Sequence, residues 1–257
     1  MCTKTFRLFL FFVVFQMFSY GQSEGMVYIK GGNYIPLYGR DSASVEVNDF
    51  EIDKYPITNK EYMAFVAKYP QWQKSKVKKL FADGNYLRNW KNDLQVNDNA
   101  NPNSPITYIS WFAAKAYCEC QNKRLPTMDE WEYVAMADET TADARVKKSY
   151  NKQILAWYET PRSNENEIGK TPKNFWGVYD LHGLVWEWTF DFNSVLLSGE
   201  SRKDVDKDNN LFCGSAAIGA TDLMNYAAFM RYAFRGSIKA NYTIKNLGFR
   251  CAKDLIK

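Results

Sequence analysis

Helix starts are written into this chain at three places, and each opens only a short segment. Thr58 stands three residues ahead of Glu61, the spacing of a capping box, and predicts a helix over Glu61 to Lys68. Ser110 precedes the alanine- and aromatic-rich run Trp111 to Cys120, and Thr127 with Glu130 repeats the box ahead of Trp131 to Met136. Strand signals are equally brief. Met26 to Ile29 and Asn33 to Leu37 flank the turn Gly31-Gly32, and Val45 to Ile52 alternates apolar and polar residues as a half-buried strand does. Beyond Ala137 the chain reads as aromatic clusters between loops of Asn, Asp, Gly and Ser. With no internal repeat and no linker-like run, the expectation is one α+β domain of few helices, short strands and much irregular backbone.

So much irregular backbone leaves gaps, and 17 Phe, 17 Tyr and 8 Trp are available to fill them. Each ring buries a large area with few rotatable bonds. Gap filling is the economical reading, and a carbohydrate-stacking platform is its competitor. A single histidine excludes three-His metal centres, an HExxH protease helix and a His-Cys-Cys deaminase site.

The first residues read as an export signal. Lys4 and Arg7 precede the apolar run Leu8 to Phe18, and small and polar residues follow up to Gly21. The run is about half the roughly 20 residues that span a bilayer, so residues 1–21 are expected to be removed and 22–257 to form the domain, with no membrane anchor after cleavage and a periplasmic or secreted location. No cysteine follows the run to carry a lipid. Without Lys4 and Arg7 the basic and acidic side chains nearly balance, which gives no reason to expect nucleic acid as a partner. Cys2 leaves with the signal, and Cys118, Cys120, Cys213 and Cys251 remain in an oxidising compartment.

Six segments, in order, carry a resemblance: Met26–Gly32 (MVYIKGG), Phe50–Tyr62 (FEIDKYPITNKEY), Pro105–Trp111 (PITYISW), Lys123–Tyr133 (KRLPTMDEWEY), Gly177–Trp188 (GVYDLHGLVWEW) and Asn246–Cys251 (NLGFRC). Together the chain resembles the formylglycine-generating enzyme family, the sulfatase-modifying-factor domain. The resemblance implies a C-type-lectin-like fold with short strands and few helices. The family's oxidases hold Cu(I) between two cysteines, the soft thiolate pair that ion prefers. Those positions fall here at Asp222 and Ala227, neither of which supplies sulfur, so formylglycine-generating oxidase activity and bound copper are not expected.

The resemblance also implies a Cys118–Cys251 disulfide, while a second family bridge would need cysteines at Ala135 and Tyr232. Cys120 and Cys213 match no family pairing; a second bridge, reactive free thiols and a metal site all stay open for them. Asp180 to Glu187 resembles a family calcium site, with side-chain oxygens from Asp180 and Glu187 and carbonyls from Gly183 and Val185, although Leu184 replaces the usual Asn. The competing role for Glu187 is to satisfy buried backbone amides. A second calcium site would draw on a segment whose nearest equivalent, Ser163-Asn164, is too distant from the pattern to assign.

Weaker signals read as solvated surface: Asp204 to Asp208, which begins like an EF-hand loop but has Asn209 at the glycine position, and the lysines at 74, 76, 78 and 79 near Trp72, for which an acidic partner or lipid is the alternative. His182 reads as structural or surface-exposed. Tyr226–Thr243, with the preceding Phe212–Ser215, is similar to a branch without the copper cysteines, the NirV-type accessory proteins of copper nitrite reductase. Tyr226, Arg231 and Arg235 are candidates for a retained groove that binds a protein partner, with core packing as the competing role for the neighbouring rings. The expected function is thus an exported accessory or binding protein for a denitrification enzyme, and the alternative is an oxidoreductase working through a different centre.

Overall fold

A computed structural model describes residues 25–37, 43–98, 100–159, 166–193 and 223–255. The proposed signal, Cys213, Asp222 and the Asp204–Asp208 and Phe212–Ser215 segments lie outside them. Strand β1 (Met26–Ile29) pairs antiparallel with β4 (Phe50–Asp53), and β4 pairs on its other edge with β9 (Ala252–Asp254), so one three-stranded sheet joins the two ends of the domain. A second ribbon joins β2 (Gly32–Tyr34) to β3 (Val45–Val47).

The strand expected from Val45 to Ile52 is therefore two strands. Asn48 and Asp49 separate them, and the Asp49 carboxylate accepts from Gly31 N at 2.8 Å and Tyr28 Oη at 2.5 Å. A side chain at position 31 would place its Cβ 2.2 Å from Val47 O, so only glycine lets the two ribbons approach here. The strand expected to reach Leu37 ends at Tyr34.

All three expected helices form. Helix α1 (Asn59–Lys68) begins two residues before the expected start, with both halves of the box in place: Glu61 N donates to Thr58 Oγ1 at 3.2 Å and Thr58 N to Glu61 Oε2 at 2.8 Å. Helix α2 (Trp111–Cys120) is capped by Ser110, and α3 (Met128–Ala135) by Thr127 and Glu130. Two helices stand where only irregular chain was expected, α4 (Lys148–Glu159) and α5 (Leu223–Ser237). Helix α4 is polar at Lys148, Ser149, Asn151, Lys152 and Gln153, but Tyr150 and Ile154 are four apart and buried, and they pack with Ala144 and with Ala227 of α5.

The main core is largely aromatic: Tyr62, Trp90, Tyr117, Trp188 and Phe249 pack around α1 and α2. The two tryptophans satisfy their indole N–H groups inside, Trp90 on Asn59 Oδ1 at 3.0 Å and Trp188 on Ile109 O at 2.8 Å. Here the rings fill gaps between short elements. Strand β5 (Trp90–Asn92) pairs antiparallel with β6 (Gln95–Val96), and the short parallel ribbon of β7 (Trp186–Glu187) and β8 (Leu247–Gly248) crosses this core.

At the meeting of sheet and core lies Arg250, fully buried. Its Nε and Nη2 donate to the two oxygens of Glu187 at 2.8 Å each, Nη2 also to Tyr179 O at 2.9 Å, and Nη1 to Asp53 O and Lys54 O at 3.2 Å. Five contacts use the whole donor capacity of a guanidinium.

Cys118 of α2 is bonded to Cys251, just before β9, with both residues fully buried and 133 positions apart. Intact-mass measurement after alkylation under denaturing, non-reducing conditions should find both thiols blocked. Replacing the pair with Ala and Ser should lower unfolding free energy by up to about 4–5 kcal/mol in urea titrations, the chain-entropy value for a loop of this size.

Candidate functional site

Helix α5 carries Ala227, one of the two positions at which the resemblance implies a copper cysteine in the oxidases. Ala227 is fully buried there against Ala144, Tyr150 and Ile154. Tyr226 is the preceding residue of the same helix, and its side chain lies outside the described set. Arg231 and Arg235, one helical turn apart, both face inward onto Glu132 of α3. Arg231 Nε and Nη2 donate to Glu132 Oε2 at 3.0 and 2.6 Å, and Arg235 Nη1 donates to Oε1 at 2.8 Å. Their guanidinium carbons lie 5.8 and 4.9 Å from the centre of the Trp131 ring.

That corrects the expectation of a groove displaying these arginines: both are 4% exposed and serve as internal counter-charges. Burial pushes the Glu132 carboxyl up, but Arg231 and Arg235 outweigh it and hold its pKa at about 2. Tyr232 is buried too, whereas Met230 is exposed. Phe234 stacks on Trp186 with ring centres 4.7 Å apart. Ala135 and Tyr232, where a second bridge would stand, line one small cavity and carry no sulfur.

The expected calcium ligands have other partners. Both Glu187 oxygens are taken by Arg250, and Oε2 also accepts from Trp131 Nε1 at 2.8 Å. Asp180 accepts from Gly169 N at 2.5 Å and from Thr171 Oγ1 at 2.8 Å. With a buried guanidinium against Glu187, the set Asp180, Gly183, Val185 and Glu187 does not fit a divalent cation, which would have to displace Arg250 or lie beside it. Leu184 and Val185 are both buried. Gly183 has φ +90° and a Cβ there would lie 2.8 Å from Trp157 Cγ, so its glycine is required by packing. Glu187 is thus neither the calcium ligand nor the backbone-amide acceptor considered for it, but the partner of Arg250.

His182 is structural. It is buried, its Nε2 lies 2.9 Å from Ala135 O, and its ring stacks on Trp157 and meets Trp131 edge-on. The same ring borders a cavity of about 250 Å³ lined also by Asp138, Tyr150, Gln153, Trp157 and Asn174. A wider recess of about 530 Å³ shares its Trp157, Thr171 and Asp180 wall. Sequence reasoning missed both, because α4 supplies one wall; the 150/154 spacing was the available signal. Asp138 is held well below the usual carboxylate range: burial opposes this, but bonds from Lys147, Thr140 and Thr141 prevail. Cys120 is an exposed free thiol at the end of α2, two residues from Cys118 and therefore turned away from the buried disulfide.

The family model for the sulfatase-modifying factor enzyme 1-like domain matches residues 13–255, and the chain belongs to this family. The inactive C-alpha-formylglycine-generating enzyme 2 of Bos taurus is 28% identical, over 90% of this chain and 89% of its own length. The formylglycine-generating enzyme of Bos taurus is 31% identical over 60% of this chain and 45% of its own length. Among solved structures, PvdO from Pseudomonas aeruginosa superposes with a TM-score of 0.51 at 17% identity, covering 90% of this chain and 94% of its own, which shows a shared fold.

Glu132→Gln should destabilise the protein by about 3–5 kcal/mol at neutral pH, because two buried guanidiniums lose their charge partner. The wild-type advantage should be complete above the ordinary carboxyl value of 4.5 and disappear as pH falls toward about 2, so urea midpoints of the two proteins converge across that window. Added calcium or a chelator should leave the melting temperature unchanged, since Glu187 is committed to Arg250.

Proposed function

We propose that this protein is an exported, non-oxidase binding member of its family that engages a protein partner. The observation that carries this reading is Ala227: a fully buried methyl group, packed against α4, at the position where the resemblance would put one of the oxidases' copper thiolates. A copper site of the family's kind requires two soft sulfur ligands, and Asp222 and Ala227 offer none. The helix that would carry the chemistry is instead a packing element, held by the Arg231 and Arg235 pairs to Glu132.

Export is supported by the buried Cys118–Cys251 bridge, which persists in oxidising compartments, and by the apolar Leu8–Phe18 run. No helix among the described residues is long and apolar enough to cross a membrane. Similarity to an inactive formylglycine-generating enzyme along nearly the whole chain supports loss of the oxidase reaction. The finer assignment is an accessory role for copper nitrite reductase, and it rests on the similarity of Tyr226–Thr243 and Phe212–Ser215 to the NirV-type branch. Met230, exposed on α5, is the side chain assigned to the contact.

Purified protein loaded with Cu(I) should fail to convert a cysteine-containing oxidase substrate peptide, and Cys213→Ala should leave copper uptake unchanged. Formylglycine formation, or tight uptake lost in Cys213→Ala, would revive the oxidoreductase reading. In calorimetric titration against copper nitrite reductase, binding weakened about tenfold or more by Met230→Asp supports the accessory role, in line with loss of a buried interface anchor. Absence of binding removes the nitrite reductase assignment.

A further inference from the structure

Residues 73–82 form two successive helical turns at one edge of the fold. Lys76 N and Val77 N donate to Gln73 O at 3.0 Å, and Phe81 N and Ala82 N donate to Lys78 O at 2.9 and 3.2 Å. The second turn is pinned from inside. The Phe81 ring lies 5.9 Å from Trp72 and 5.5 Å from Phe112, and Ala82 is buried. Asp83 N donates to Asn241 O at 2.8 Å, while the Asp83 carboxylate accepts from Thr243 N and Oγ1. With Phe81 and Ala82 turned inward, Leu80 is left outside at 74% exposure.

Lys76, Lys78 and Lys79 are exposed around that leucine, and Arg88 and Lys239 are exposed on the adjoining segments. The acids facing this tip are already engaged: Asp83 by Thr243, and Asp93 by Ser75, with Lys74 and Lys76 nearby. A solvated lysine face has no need of a bare leucine held at its apex. The two cavities described above are lined by other segments, so neither offers this tip a groove for an acidic peptide. A flat anionic interface suits both components, because ammonium groups meet phosphates while lysine stems and a leucine dip beneath them.

We propose that the tip formed by Lys76, Lys78, Lys79 and Leu80 docks this protein peripherally on an anionic phospholipid surface. The contact is separate from α5 and from any protein partner bound there.

The test is sedimentation of the exported protein with phosphatidylcholine vesicles, with or without phosphatidylglycerol, at low and physiological salt. Wild type should bind the mixed vesicles in a salt-sensitive way and leave pure phosphatidylcholine vesicles unbound. Each lysine replaced by Gln at positions 78 and 79 should weaken binding ~5-fold, and Leu80→Ser should weaken it about tenfold. Matching circular dichroism melts establish that the variants fold. Equal binding to both vesicle types would overturn the proposal. So would binding unchanged in the Leu80 and lysine variants, which would place it in the Leu8–Phe18 run if that run is retained. Retention on polyglutamate without vesicle binding would also overturn it and assign the tip to an acidic polypeptide.

Discussion

The Arg250–Glu187 pair is the constraint on which the rest of this fold depends. Arg250 stands between β8 and β9 and binds the backbone at the end of β4, the carbonyl of Tyr179 and the carboxylate of β7. Each of those strands is too short to hold a register alone. A fully buried charge pair is costly to desolvate, and replacing it with apolar residues is often neutral for stability. Its value here is geometric: five donors with fixed directions specify how four chain segments meet, where backbone hydrogen bonding between two- to four-residue strands would leave alternatives.

Helix α3 extends that arrangement through three consecutive side chains. Glu130 closes its own N-terminal box and pairs with Arg124. Trp131 donates to Glu187, joining α3 to the Arg250 centre. Glu132 receives both arginines of α5. Helix α5 is thus docked onto α3 through Glu132 and onto α4 through Ala227, which packs against Tyr150 and Ile154. The arginine contacts to Glu132 need no thiolate at position 227, so α5 keeps its place with a methyl group there.

Where the chain could be read directly, local chemistry was decisive. Thr58 with Glu61 and Thr127 with Glu130 satisfy N–H groups within one turn of themselves, so no distant contact is needed to recognise those helix starts. Helix α4 escaped because much of its surface is polar and its two buried residues find their partners far along the chain: both pack with Ala227, and Tyr150 also donates to Ala135 O and meets His182 edge-on. The site was less legible than the fold for the same reason. Arg231 and Arg235 look like binding residues in a sequence, since a guanidinium four residues from another fits a ligand as well as it fits an internal carboxylate. The spacing cannot say that Glu132, about a hundred positions earlier, is waiting for them.

The amino-acid sequence by itself determined the family, the three capped helices and the identity of the two bonded cysteines. Each of these is a matter of which residue stands at which position, or of hydrogen bonds within a few residues. Tertiary structure decided the rest: that Glu187 faces the Arg250 guanidinium, that Arg231 and Arg235 are buried, and that Leu80 is not. Those outcomes depend on what arrives from distant parts of the chain, because the preferred state of a charged or apolar side chain follows from its neighbours in space.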